Sequence, residues 1–538
     1  MSVNRSSNGG TVSGEYQNVF ITFFTVYAKW QRLPLLANLY LRRFVLAWKQ
    51  RGLEQRLGSR IVTYADVQTD LPEGDVAMKQ RYLLGFVLTG VAMLMLSGCA
   101  SYGVIDNEPL TESTSTPSYS IKNRYGNNES GGDIRLSLSF SGGGTRAAAL
   151  AYGVLEELRD TTVVIDGQQK RLLDEIDSIS SVSGGSFTSA YYGLYGERIF
   201  EDFKDVFLTR DVERSLVRGL FNPFRWFSTK GRTEMAVKLY EKEVFHGATF
   251  ADMNREGAPL ILINASDLGY GVRFSFVQEY FDLLCSDINS FPVARAVTAS
   301  SAVPLVFHPI VVENYHDCKR AGKPEWMTAA AKRLADNPEL SDVLRGLETY
   351  YEEDRRKYAH FVDGGITDNL GLRATYEVIE IAGGVDATYK KLGRKPPRYG
   401  IMISVNASTD PELELDMTNK QPSVAETIGA MSNVQLHRYN DATLELMRQS
   451  MKRWVEDMST PDGPVSRYIA QVSFQDVMQP EAQRFFNRIP TGFSLSEEQV
   501  DRLIEAGHEL LRNNPEYQRF LADLGGAQMQ ASSTPATH

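Results

Sequence analysis

Cysteine is nearly missing from this chain. Three occur in 538 residues, Cys99, Cys285 and Cys318. No C-x-x-C pair or zinc-type spacing joins them, which argues against a thiolate-held metal and against a thiol redox motif. Histidine is scarce too. His246, His308, His316, His360, His437 and His508 sit in no motif that a Ser-His-Asp arrangement would use. Basic charge is not in excess: 57 Lys and Arg stand against 67 Asp and Glu, a net charge of -10. That argues against nucleic acid as a main partner, because a phosphate backbone wants a basic face. No internal repeat is visible. The apolar run at residues 19–27 is too short to span a bilayer. What is present is ordinary globular material, 42% hydrophobic and 23% charged, ample for a large core. The length fits two to four domains, or one large α/β domain with appendages.

Residues 1–77 read as lying outside the globular body. Lys29, Arg32, Arg42, Arg43, Lys49 and Arg51 interrupt their apolar residues. A basic amphipathic helix on a membrane surface is one reading; an over-extended translation start ahead of Met78 is the other. From Met78 the chain runs Lys79-Gln80-Arg81, an apolar stretch over 82–96, then Ser97-Gly98-Cys99. A basic n-region, an h-region and small residues at the cleavage zone make residues 78–98 a secretory signal. It resembles a bacterial lipoprotein signal with the lipobox Leu96-Ser97-Gly98-Cys99. That resemblance implies cleavage before Cys99, lipid on its sulfur and a place in the cell envelope. Ala100 and Ser101 stand where an Asp favours the inner membrane, so the outer membrane is expected; an inner-membrane signal anchor is the alternative. Residues 99–132, rich in Ser, Thr, Asn and Gly, read as a flexible tether. In an exported body Cys285 and Cys318 meet an oxidising compartment, where they either form a disulfide or stay as two buried thiols.

Chemistry concentrates in three turns. Ile134, Leu136, Leu138 and Phe140 alternate with Arg135, Ser137 and Ser139, a strand of period two. Gly142-Gly143-Gly144 follow, and then Leu150, Ala151, Val154, Leu155 and Leu158 at helical spacing. A glycine run between a strand and a helix N-terminus offers outward N–H groups and a positive dipole end to an anion, either a phosphate or a tetrahedral oxyanion. Gly142-x-Gly144-x-x-Ala147 is also a form of the dinucleotide fingerprint. That reading needs an acidic residue at the end of the next strand, and neither Asp160 nor Asp166 fits. The next strand, near residues 178–182, ends instead in Ser183-Gly184-Gly185 with Phe187, Ala190, Tyr191 and Leu194 on one helical face. Small residues around a serine between strand and helix are what a nucleophile elbow requires. Ser181 stands where the usual G-x-S-x-G has its first glycine. The third turn is Asp363-Gly364-Gly365-Ile366-Thr367-Asp368-Asn369, whose glycines permit a tight turn that aims the Asp363 carboxylate. Ser183 is thus the expected nucleophile, Asp363 the base, and Gly142, Gly143 and Gly144 the oxyanion hole.

Taken together, Ser141-Gly142-Gly143-Gly144-Thr145-Arg146, Ser183 with Gly185, Ala299-Ser300-Ser301-Ala302-Val303-Pro304 and Asp363-Gly364-Gly365 with Asp368-Asn369 resemble a patatin-like phospholipase, over residues 133–410. The resemblance implies an α/β fold, a three-layer α/β/α arrangement on a mainly parallel central sheet. It also implies a serine lipid acyl hydrolase working through a Ser-Asp dyad and an acyl-enzyme, with membrane phospholipid or another acyl lipid as partner and no cofactor or metal. An acyltransferase using the same dyad is the nearest alternative, and a non-catalytic lipid-binding lipoprotein the next. Arg146 is expected to pair with a carboxylate in the core, with facing a lipid phosphate as the alternative. Strands are expected at 259–264, 273–277 and 399–405, and a helix from Pro292 to Ala302. Residues 324–358 read as an inserted, solvated helical segment in which Glu352 and Glu353 pair with Arg356 and Lys357 at i,i+4. Residues 411–525 read as a helical C-terminal region and 526–538 as a disordered tail.

Overall fold

In the computed structural model, the residues described are 102–111, 117–126, 134–165, 168–210, 231–304, 306–410, 416–459 and 465–525. Residues 1–77, the signal at 78–98, Cys99 and the tail at 526–538 lie outside them.

The frame is an eight-stranded sheet. In chain order its strands are β1 (Ile134–Phe140), β2 (Ile176–Val182), β3 (Leu260–Asp267), β4 (Arg273–Ser275), β5 (Ile310–Glu313), β6 (Tyr358–Val362), β7 (Tyr399–Asn406) and β8 (Ser466–Ser473). They lie in the order β8-β7-β1-β2-β3-β6-β5, with β4 also paired to β3. The run from β8 to β3 is parallel, and β4, β5 and β6 are antiparallel additions. All eight residues of β3 and seven of the eight of β7 are buried, as expected where helices cover both faces of a parallel sheet. The architecture is the expected three-layer α/β/α.

The chain enters this sheet at its middle. It passes from β1 through α1 (Gly144–Asp160) to β2, and through α2 (Gly184–Tyr195) toward β3. Only later does it return to the other side of β1 with β7 and β8. The strand order therefore reverses beside β1, and the crevice beyond the carboxyl ends of the strands there is where such folds bind ligands. Both Gly-and-Ser turns stand at that edge. One long helix, α5 (Val424–Met458), follows α3 (Val293–Ser300) and α4 (Arg373–Ala382) in the chain. A second apolar cluster forms around Leu340, Leu344, Met402, Met447 and Trp454. Further on, α6 (Glu497–Arg512) packs on α1.

Three boundaries differ from the sequence reading. The tether expected at 99–132 is docked where it is described. Glu108–Pro109 pair with Ser286–Asp287, and Tyr119 is fully buried with its hydroxyl bonded to both the N–H and the carbonyl of Ile261 on β3. One large aromatic ring outweighs a polar composition. The segment at 324–358 is helical at Glu325–Arg333 and Pro338–Glu348, but it buries Met327, Ala330, Leu340, Leu344, Leu347 and Tyr350 and so is a packed layer. The expected i,i+4 pairs do not form, because the helix has ended. Arg355 pairs with Glu352, while Arg356 turns inward to Asp267 at the end of β3. Finally, the region at 411–525 is not purely helical. β8 lies in it and pairs with β7 along its whole length, so the sheet closes only with residues beyond 410. The helix expected over 292–302 spans Val293–Ser300.

Candidate active site

Ser183 is held in a conformation that side chains rarely adopt. It sits between β2 and α2 at φ 49 and ψ -121, strain of the kind that concentrates where a side chain must be presented. The turn is over-determined from below. The Ser183 N–H donates to Ser300 Oγ at 2.8 Å, Ser300 Oγ donates to the Asn264 carbonyl at 2.6 Å, and Ser186 Oγ lies 3.0 Å from Ser300 Oγ. Ser181 is accommodated because it still belongs to β2, where its hydroxyl accepts from Ser189 Oγ at 2.6 Å. Gly184 has no such latitude, since a Cβ there would lie 1.9 Å from the Gly144 carbonyl oxygen. The elbow and the glycine loop are backbone against backbone.

Asp363 leaves the end of β6 beside that serine. Its Oδ2 accepts from Ser183 Oγ at 2.8 Å and its Oδ1 from the Gly365 N–H at 2.8 Å. Its own N–H donates to the Ala302 carbonyl, and the Gly364 N–H to the Ser300 carbonyl, both at 3.0 Å. The loop after α3 therefore holds the serine turn and the aspartate turn together. Ser183 is 5% exposed and Asp363 8%. Burial pushes the Asp363 carboxyl from 3.8 up to about 6, against the opposing pull of the hydrogen bonds from Gly365 and Ser183, because an anion loses hydration there. None of the described histidines bonds to either residue. His508 instead meets Glu156 and Glu157 on α1.

The glycine loop is split in its roles. Gly142 was expected in the oxyanion hole, but its N–H donates to the Asn369 carbonyl at 3.0 Å and is thereby spent on joining the glycine loop to the aspartate loop. Gly143 and Gly144, at φ 140 and 62, carry N–H groups with no hydrogen bond among the described residues. A Cβ on Gly144 would come within 2.3 Å of the Gly492 carbonyl oxygen. Arg146 does not meet a carboxylate. Its Nε donates to the Ala407 carbonyl at 2.9 Å, its Nη2 to Thr491 Oγ1 at 3.0 Å and its Nη1 to the Ile489 carbonyl; burial lowers its guanidinium to about 10.

The residues match these geometric parts in order along the chain. A family model described as patatin-like phospholipase matches residues 138–376. These residues are a patatin-like phospholipase domain. Among curated proteins none matches the sequence. Among solved structures, human GIVD cytosolic phospholipase A2 is 13% identical with a TM-score of 0.35, over 72% of this chain and 62% of that one. VipD from Legionella pneumophila is 11% identical with a TM-score of 0.27, over 79% of this chain and 72% of that one. The chain thus spans about three fifths of the length of the human enzyme. The matched domain ends 90 residues before β8 and more than a hundred before α6 and the loop that touches Gly144 and Arg146.

Cys285 and Cys318 are joined by a disulfide remote in sequence from all three turns. Among the described residues no helix is long and apolar enough to cross a membrane. One contributor escaped the sequence reading. Ser300 lay in a quoted motif without a role, and its hydroxyl is the hub under the elbow. Asp368 and Asn369 divide their work. Asp368 Oδ2 accepts from the N–H groups of Arg373 and Ala374 at the start of α4, and Asn369 supplies the carbonyl that holds Gly142.

Proposed function

We propose that the chain is a serine lipid acyl hydrolase, of phospholipase A or lysophospholipase type, with Ser183 as nucleophile and Asp363 as its base. The observation that carries the reading is the 2.8 Å hydrogen bond from Ser183 Oγ to a buried Asp363 carboxylate. An ordinary aspartate is too weak a base for a serine hydroxyl. A carboxylate raised to about 6 is still ionised at neutral pH and takes a proton more readily. Ser183 Oγ attacks the ester carbonyl carbon while its proton passes to Asp363 Oδ2. The Gly143 and Gly144 N–H groups, at the positive end of α1, face the oxyanion; one such donor is worth about 2.7–4 kcal/mol. The tetrahedral species collapses, the C–O bond to the alcohol breaks, and Asp363 returns the proton to that oxygen. Water then attacks the acyl-enzyme, giving its proton to Asp363, and the fatty acid leaves as Ser183 Oγ regains a proton.

The same reading places the body in the cell envelope, tethered by lipid on Cys99, facing its acyl-lipid substrate at a membrane. The Cys285–Cys318 disulfide supports an oxidising compartment. Two measurements test this. Fatty-acid release from phospholipid vesicles is expected from the wild type and absent from Ser183→Ala with an unchanged circular dichroism spectrum; equal release from both rejects Ser183. Labelled fatty acid is expected to enter the wild type and not Cys99→Ala, and equal labelling rejects the anchor.

A further inference from the structure

Three aromatic rings meet, and each comes from a segment tied to a different part of the site. Phe187 is in the first turn of α2, four residues after Ser183. Phe307 closes the loop whose Ala302 carbonyl holds the Asp363 N–H. Phe493 follows Gly492, whose carbonyl accepts the Thr145 N–H at 2.9 Å and abuts Gly144. Phe493 lies 6.4 Å from Phe187 and 6.1 Å from Phe307 between ring centroids, edge-on to both. Phe187 is fully buried, Phe307 nearly so, and Phe493 half-buried.

The segment that delivers Phe493 lies outside the matched domain. Residues 488–493 come between β8 and α6, and Arg146 on α1 grips them through the Ile489 carbonyl and Thr491 Oγ1. The grip and the Gly492 contact fix this loop to the same backbone that carries the Gly143 and Gly144 N–H groups. Its place is therefore set by the site. Uncharged rings accept hydrocarbon, and pockets for such ligands are apolar with few polar groups.

We infer that the loop of residues 488–493 completes the active site and that Phe493 is its chain-length-determining residue, the face of an apolar wall backed by Phe187 and Phe307 and turned to the acyl chain. This rests on Ser183 being the nucleophile. The substrate's acyl group lies along the wall while its carbonyl meets the glycine loop, so the depth at Phe493 limits the chain.

The test is hydrolysis of a p-nitrophenyl ester series, acetyl to palmitoyl, by the full chain as wild type, Phe493→Ala, Phe493→Leu, Phe493→Trp and Ser183→Ala. For Phe493→Ala the ratio of kcat/KM for long over acetyl esters is expected to rise by about tenfold or more, the scale of a methylene-sized change in an apolar pocket. Phe493→Trp is expected to lower it, and Phe493→Leu to fall between. Phe493→Leu preserves an apolar plug should Phe493→Ala fold poorly. Ser183-dependent turnover with the same chain-length profile in all Phe493 variants overturns this inference alone. Turnover that survives in Ser183→Ala, or none in the wild type, overturns the nucleophile assignment and this inference with it.

Discussion

Replacing Asp363 by Asn is expected to make the protein more stable and nearly inactive, and the stability gain must depend on pH. The wild-type carboxyl is raised from 3.8 to about 6 by burial. A folded-state value above the unfolded one means that the unfolded chain ionises first, so stability falls as pH rises between the two values and stays low above them. A rise of about two units corresponds to about 3 kcal/mol against the folded anion at pH 8, and to about 1 kcal/mol at pH 4.5, where most folded molecules keep the proton. Asparagine is neutral and nearly isosteric, and it can still accept from the Gly365 N–H and meet the Ser183 hydroxyl. The gain of Asp363→Asn over wild type is therefore expected to be about 2 kcal/mol larger at pH 8 than at pH 4.5. Urea denaturation of both proteins at both pH values measures it. In parallel, wild-type kcat/KM is expected to fall as pH drops below about 6, and the variant to lose about 100- to 10,000-fold in kcat. A gain that is equal at the two pH values, or a loss of stability at pH 8, refutes the claim that burial holds this carboxylate in a destabilised, basic state.

Gly144→Ala puts a methyl 2.3 Å from the Gly492 carbonyl oxygen at φ 62; displacing that N–H is expected to cost about 100- to 1,000-fold in kcat, read against an unchanged circular dichroism spectrum. Reducing the disulfide opens a loop with a sequence separation of 33 residues, an expected loss of about 4 kcal/mol in stability, compared by denaturation with and without reductant and with Cys285→Ser. His508 on α6 is desolvated, which lowers its value, but Glu156 and Glu157 on α1 outweigh that and raise it to about 9. Its pairing stabilises fully below 6.5 and is lost as pH rises through about 9, so the denaturation midpoint is expected to drop between pH 8 and 10 in wild type but not in His508→Gln.

The parts of the fold that announce themselves are those where one residue type has one physical job. β1 alternates because one set of its side chains packs inward more completely than the other. The glycine run and the Ser183 turn stand out because no larger residue fits where backbone meets backbone. What escapes is what depends on a distant partner. β8 follows a 35-residue helix, so its apolar alternation at Tyr468, Ala470 and Val472 disappears into a helical neighbourhood. Its identity as a strand comes from β7, waiting with an unpaired edge. Tyr119 reads as one aromatic in a polar stretch until Ile261 supplies both halves of its hydrogen bonding. Arg146 looks like a cation in need of an anion, yet three oxygen acceptors satisfy it, two of them on a loop some 340 residues away. Gly142 looks equivalent to its two neighbours, and only the Asn369 carbonyl distinguishes it.

Two buried aspartates five positions apart show why burial alone does not make a base. Asp368 is more enclosed than Asp363, at 0% against 8% exposure, and burial pushes its carboxyl higher, to about 7. Its Oδ2 nevertheless faces two backbone N–H groups at the start of α4. Those donors keep their protons, so that oxygen fixes the helix in place and has nothing to abstract. Asp363 Oδ2 faces the hydroxyl of Ser183, a donor that in the proposed reaction gives up its proton as its oxygen attacks, while Oδ1 is pinned by Gly365. The raised value supplies basicity to both residues; the partner decides which of them can use it. The pairing is in turn set by Ser300, whose hydroxyl supports the Ser183 backbone and whose carbonyl holds Gly364. A histidine between serine and carboxylate would need space that this direct 2.8 Å contact does not contain. In the proposed reaction, ordering one hydroxyl and one carboxylate through a shared backbone hub is a shorter route to the same proton transfer, and it confines the site to the edge where β2, β3 and β6 end.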